Sequence, residues 1–304
     1  MSADLDLSSF PMPRPGDVIF TYSGTPDAVG SCLIQRTLFG KWDGPWFSHV
    51  SVAVSHKSVI EASSEPEENE TTWSGVQLQP NGVRLQLLPD LIFGAAKFTA
   101  LRHPQAAAAE SNFQLQAPQV SALYGSGYST KALIAAAESA KSSLTRFIPK
   151  ALFDWKAKPD KIALELRSKP EVRADIEKHL PMGTKFSVLE DYFCSQLVGL
   201  LLFGAKLVDD NPGIITPCAL YDQLSASGWQ DVTESDYGNE TQDMWKRMSP
   251  DDWRIDYQIE TGWARSFRHH VFVSAYLGAA EDKMNDFKAK LDAVAERVAE
   301  MRRR

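Results

Sequence analysis

Short β-rich runs occupy the N-terminal third of the chain, and helical patterning dominates the remaining two thirds. The first run, Asp17 to Tyr22 (DVIFTY), comes after the turn-forming Pro13-Arg14-Pro15-Gly16 and predicts a strand. A helix is expected next. Thr25 suits its N-cap, Pro26 the first helical position, Val29, Leu33 and Leu38 its apolar face, and Gly40 its end. Cys32 falls inside that helix as a packed residue. Val50 to Val54 alternates apolar with small or polar residues, and Val59-Ile60-Glu61-Ala62 comes after the polar turn Ser55 to Ser58, so the two runs predict a β-hairpin with His56 in its turn. Glu65 to Thr72 is too acidic and polar for a core and is expected to be a loop. Val83 to Leu88 and Lys97 to Arg102 add two strands, which gives a small, mostly antiparallel sheet.

From about Pro104 to Pro181 the chain turns rich in Ala, Lys and Glu, with helical patches at Lys131 to Ala140 and Ala163 to Arg167; we read this as a mainly helical insertion. Cys194 to Leu202 is apolar and stops at Gly204, and a further helix is expected from about Pro217 to Ala226 before Gly228. The last helix carries the cleanest periodicity: Met284, Phe287, Leu291, Val294, Val298 and Met301 repeat at spacings of three and four. That seam fits equally a helix packed on its own domain and a surface for a second copy or another protein. The expected organisation is a catalytic-sized domain over 13–235, with the insertion at about 104–181, and a C-terminal extension over 236–304. No internal repeat is evident.

Composition narrows the function classes. A hydrophobic share of 43% and a charged share of 23% are those of a globular protein, and no apolar run reaches the ~20 residues that a membrane span needs. A formal net charge of -7 argues against nucleic acid as a partner, because a phosphate backbone calls for a basic face. Met1 to Phe10 is acidic and polar rather than basic then apolar, so residence in the cytoplasm after synthesis is the expectation. Cys32, Cys194 and Cys218 are odd in number and far apart, which fits neither a disulfide framework nor a zinc site. His269-His270 lacks a Cys or carboxylate at ligand spacing and is read as an ordinary polar segment rather than a metal site.

A free thiol can be a nucleophile only as thiolate, and at an ordinary pKa of ~8.5 little of it is ionised at neutral pH. A helix start and a nearby imidazole both favour the ion. Cys194 opens the apolar run Ser195-Gln196-Leu197-Val198 and fits such a place. Ser187 and Glu190 form a possible capping box that would start the helix earlier and set Cys194 within it. Cys218 is the rival, since it also sits after a proline at a helix start.

Three segments, Phe47-Ser48-His49-Val50-Ser51-Val52, then Val59-Ile60-Glu61-Ala62, then Tyr192-Phe193-Cys194-Ser195-Gln196-Leu197-Val198, resemble the circularly permuted NlpC-like hydrolases and the lecithin:retinol acyltransferase-like group. In those families the His strand precedes the Cys helix, the reverse of papain order. Arg14-Pro15-Gly16-Asp17-Val18-Ile19-Phe20 and Ile215-Thr216-Pro217 also look like that pattern. The resemblance covers about 13–102 and 187–228, and Gln196 departs from it where many relatives carry an acid. It implies an α+β permuted papain-like core, with Cys194 as nucleophile, His49 as base and Glu61 as the third member that orients the imidazole. The backbone N–H of Cys194 is the first oxyanion donor to consider, with Tyr22 as a side-chain helper at the end of the first strand.

Strand geometry constrains the pairing of His49 with Glu61. An even-numbered loop in the hairpin would set Val52 across from Glu61 and send His49 to the other face. An odd-numbered loop or a bulge is therefore expected, with Val50, Val52 and Val54 facing away from His49.

The implied chemistry is acyl transfer through a thioester, for which no metal or organic cofactor is expected. By resemblance the substrate is a cell-envelope amide, as in peptidoglycan peptides, or the acyl ester of a lipid, with release to water or to an acceptor. A peptidoglycan role would require export by a non-classical route, as for a bacterial toxin delivered by a dedicated secretion machine. The non-enzyme alternative is a binding or scaffold module that keeps the fold and engages a partner through its 284–301 helix.

Overall fold

The computed structural model describes residues 12–25, 44–63, 72–78, 82–125, 193–209 and 215–266, with Ala28, Val29, Ser31, Cys32, Gln35, Asn285 and Ala289. Its architecture is α+β. One antiparallel sheet holds β1 (Val18–Tyr22), β2 (His49–Ala53), β3 (Ser58–Ser63), β4 (Gly82–Leu87), β5 (Lys97–Arg102) and β6 (Gln230–Asp231), in the order β4-β3-β2-β1-β5-β6. β1 enters the sheet centre through the Pro13 to Gly16 turn, where Gly16 has φ 92° and donates its N–H to the Ala53 carbonyl at 2.9 Å. A side chain there would be strained, and its Cβ would sit 3.5 Å from Phe113.

The β2–β3 hairpin fixes which side chains meet. Val52 pairs with Ile60 and Ala53 with Val59, and the Val54 N–H bonds to the Ser58 carbonyl at 2.9 Å. Residues 55–57 are left as an odd-numbered loop, tightened by Ser55 Oγ, which accepts from the N–H groups of Lys57 at 3.1 Å and Ser58 at 3.0 Å. Neighbouring registers then sort the side chains by alternation. One face carries Val18, Phe20, Val50, Val52, Ile60, Ala62, Val83 and Leu85, all buried. The other carries Thr21, His49, Ser51, Glu61, Arg84 and Gln86. Val50 and Val52 thus point away from His49, as the parity argument requires.

The helices are α1 (Leu88–Gly94), α2 (Ala106–Gln114), α3 (Ala117–Leu123), α4 (Cys194–Gly204), α5 (Pro217–Ala226), α6 (Thr233–Tyr237) and α7 (Asn239–Arg247), and residues 250–266 are also helical. Leu88, expected to close the fourth strand, instead begins α1, with Pro89 in the first turn where its missing N–H costs nothing. Near Thr25 the expected start is present: its hydroxyl accepts from the Ala28 N–H at 3.3 Å. Cys32 is fully buried in that helix. The end expected at Gly40 lies outside the described residues.

At the beginning of the expected insertion, α2 and α3 place Ala109, Phe113, Val120 and Leu123 in the core. The patches 131–140 and 163–167 and the capping box at 187–190 lie outside the described residues. So does the 284–301 seam, apart from Asn285 and Ala289, both helical and exposed. Residues after 235 join the same core as the strands through Tyr237, Trp245, Trp253 and Tyr257, and the Tyr257 hydroxyl donates to the Leu85 carbonyl at 3.1 Å. The packed unit therefore runs past residue 235.

One buried ionic cluster ties this region to the sheet. Asp17, 1% exposed, accepts from Arg102 Nε at 2.8 Å and Nη2 at 2.7 Å, and from the Tyr237 hydroxyl at 2.9 Å. Arg102 also reaches Asp236. Removing one member of such a group strands the others without partners, at a cost of roughly 3–5 kcal/mol. Arg102→Met should lower the unfolding free energy by about that amount in urea denaturation; a loss under about 1 kcal/mol would show that the cluster is dispensable.

Candidate active site

Cys194 is the first residue of α4. Phe193 precedes it in extended conformation (φ −101°, ψ 164°), and its carbonyl accepts the first helical bond from the Leu197 N–H at 3.0 Å. The helix begins here because Leu197, Val198, Leu201 and Leu202 are fully buried, so the apolar run after the cysteine supplies the packing. The thiol consequently sits at the positive end of an eleven-residue helix and is itself 5% exposed.

His49 opens β2 opposite Thr21 of β1. Its Nε2 lies 2.7 Å from Glu61 Oε2, and the Cys194 side chain lies near enough to influence its protonation. With Nε2 engaged by the carboxylate, Nδ1 is the nitrogen left for the thiol. Burial alone would pull the imidazole down, but the Glu61 charge and the interactions with Cys194 and Glu61 outweigh it, so His49 is held well above its usual 6.5.

Glu61 is 1% exposed and survives there as an anion because of its neighbours. Burial pushes its carboxyl up, yet Arg84 and His49 together bring it down to about 2. Arg84 stands directly across from Glu61 on β4 and donates from Nε to Oε1 at 2.8 Å. Gln86, with its amide nitrogen turned toward the carboxylate, donates to the same oxygen at 2.8 Å. Sequence reasoning missed both. The signal was present in Val83-Arg84-Leu85-Gln86-Leu87, whose alternation sets two polar side chains on the face that carries Glu61.

A cavity of about 500 Å³ opens onto this face. His49, Glu61, Arg84 and Gln86 line one part of it, Trp73, Leu78, Leu91 and Phe93 form an apolar wall, and hydroxyls come from Thr21, Ser23, Thr25, Ser48, Ser63 and Thr72. Asp90 also faces it. Its carboxyl is raised by burial, although Ser74 donates to it from both N–H (2.8 Å) and Oγ (2.6 Å). Cys194 does not line this cavity; His49 both borders it and feels the thiol.

The remaining sequence candidates fall elsewhere. Cys218 comes directly after Pro217 at the start of α5, where Thr216 caps the helix by accepting from the Ala219 N–H at 3.3 Å. Its thiol donates to the carbonyls of Phe47 at 3.5 Å and Pro45 at 3.7 Å, contacts that brace the chain ahead of His49. Tyr22 lies on the face opposite Thr21 by strand alternation, and its ring meets Trp46 edge-on at 6.4 Å. Among the described residues no group of three or more His, Cys, Asp or Glu side chains is arranged to hold a metal ion, and no helix is long and apolar enough to cross a membrane. No protein-family model, curated protein or solved structure matches the chain.

The two pKa shifts act in different pH windows. Glu61, lowered from 4.5 to about 2, adds stability that is present above about pH 4.5 and is lost as pH falls toward 2. His49, raised, adds stability that is complete below about 6.5 and is lost as pH climbs through its higher value. Glu61→Gln should therefore flatten the acid side of the stability curve relative to wild type, measured by urea denaturation from about pH 5 to about pH 2.5. Parallel curves would mean that the Glu61 carboxylate is not held in the ionised form.

Proposed function

We propose that this chain is a cysteine-dependent acyl-transfer enzyme of the permuted papain-like kind that hydrolyses an amide bond. The observation that carries the reading is the 2.7 Å pairing of Glu61 with His49 beside Cys194, whose side chain influences the imidazole and which starts a buried helix. Carboxylate, imidazole and nucleophile in that order are the working parts of a triad, and they recur on unrelated folds.

In this mechanism the Cys194 thiolate attacks the carbonyl carbon, and the imidazolium of His49 gives its proton to the departing amine. The C–N bond breaks and a thioester remains. Water then attacks the thioester, His49 takes a proton from it, and the acid leaves as the thiol is regenerated. Glu61 keeps the ring oriented and balances its charge. The backbone N–H of Cys194, at the start of its helix, is the proposed oxyanion donor, and Tyr22, on the opposite face of the sheet from His49, is not.

Peptide amides of peptidoglycan are the substrate class we favour, and action on them would require non-classical export, as for a toxin. Hydrolysis or transfer of a lipid acyl chain is the alternative for the same triad.

Incubation with purified peptidoglycan fragments and, separately, with phospholipid vesicles, read by mass spectrometry, should give new amine and carboxylate termini from the first and no fatty acid from the second. Cys194→Ala should remove that activity by at least roughly a thousandfold while keeping the fold, because it deletes the covalent step. Cys218→Ala should keep it. Turnover retained in Cys194→Ala but lost in Cys218→Ala would reverse the assignment, and a Cys194 thiol inert to alkylation across pH 5 to 9 would favour a binding module.

A further inference from the structure

We infer that Arg84 is a positioning residue for the proposed reaction: from the neighbouring strand it holds one oxygen of the buried Glu61 carboxylate so that the other faces His49. The inference rests on the acyl-transfer reading for its consequence in turnover, but its geometry stands independently. Arg84 and Glu61 are 5% and 1% exposed and directly opposed in the β3–β4 register. The two carboxylate oxygens divide their work. Oε1 accepts from Arg84 Nε at 2.8 Å, and Oε2 lies 2.7 Å from His49 Nε2. A carboxylate bonded at only one oxygen can rotate about its terminal torsion, whose preference is broad. Held at Oε1 by Arg84 together with Gln86, and at Oε2 by His49, it is fixed in the plane that presents Oε2 to the ring, with Arg84 the charged member of that hold.

The second part of the role is charge. An anion this deeply buried is costly unless cations face it, and His49 alone is a poor guarantor because it must give up its proton during the cycle. Arginine stays charged at every working pH. The groups facing Glu61 are His49 from β2, Arg84 and Gln86 from β4, and Tyr257 from the helical residues 250–266. Asp90 of α1 shares the cavity, and Cys194 of α4 reaches the carboxylate only through His49. Among these Arg84 is the fixed cation that touches Glu61.

Two substitutions test the role. Arg84→Met keeps length and apolar bulk but removes charge and donor; Arg84→Lys keeps charge but loses the planar fork. The readouts are the protonation midpoint of Glu61, tracked by the ¹³C shift of its labelled carboxyl in the full-length protein, and kcat and KM on the peptidoglycan fragments. For Arg84→Met the midpoint should move from about 2 into or above the ordinary range near 4.5, and kcat should fall roughly 10- to 100-fold, the range typical when a partner behind a reacting group is removed, with KM little changed. Arg84→Lys should keep the midpoint below 4 while recovering only part of kcat.

A folded Arg84→Met protein with an unmoved Glu61 midpoint would overturn the inference, as would a change confined to KM. If Arg84→Met does not fold, Arg84→Lys decides: kcat and Glu61 midpoint both equal to wild type would refute positioning by the guanidinium. A shifted midpoint in a protein whose Cys194→Ala variant still turns over substrate would leave Arg84's hold on Glu61 intact and sink the acyl-transfer reading instead.

Discussion

The carboxylate of Glu61 has been taken almost entirely out of water, and much of the sheet is arranged to keep it ionised there. An isolated charge in a protein interior either finds cationic partners or neutralises. Glu61 finds His49 on one neighbouring strand and Arg84 on the other. Those partners are correct only in the observed register, since a slip of one residue in β2 or β4 would carry either side chain to the opposite face. The ion pairs and the apolar face therefore specify the same alignment. Val50, Val52, Ile60 and Ala62 are buried on one side, while Glu61 is buried and His49 half-buried on the other.

A second carboxylate is treated similarly. Asp17, at the start of β1, is matched by Arg102 of β5, and both are locked to Asp236 and Tyr237 beyond the sheet. Buried ion pairs are weak evidence for net stability, because the desolvation they require offsets most of their attraction. Their use here is as connectors. The Asp17 cluster attaches α6 to the sheet, while Lys57 with Asp256 and Ser55 with Glu260 attach residues 250–266 to the hairpin that carries His49 and Glu61.

The residues of the proposed triad come from different kinds of element. Glu61 and His49 sit on paired strands whose registers are fixed by hydrogen bonds and ion pairs. The thiol sits at the end of a helix held by a wholly buried apolar run. His49 joins the two, and its protonated form is favoured by the carboxylate behind it and the sulfur before it. In the proposed reaction that bias would serve the step in which imidazolium donates to a departing amine.

Much of this was legible in the chain. β-Branched runs placed the first five strands, and the runs around His49, Glu61 and Cys194 picked out the three residues that meet. Parity alone showed that the hairpin needed an odd loop, which residues 55–57 supply. Arg84 and Gln86 were hidden because alternating polar positions in a strand ordinarily face solvent; here the polar face is covered as well, and coverage is a property of what packs on the sheet. Residues 250–266 carried a readable stripe in Trp253, Tyr257, Thr261 and Ala264, but aromatic and hydroxyl side chains are a fainter apolar signal than Leu or Val. Local pattern determined where strands and helices form and which side of each is apolar, because propensity and periodicity act over a few residues. Only the tertiary structure decided which buried charges face one another, since that depends on strands and helices far apart in sequence and on the water they jointly exclude.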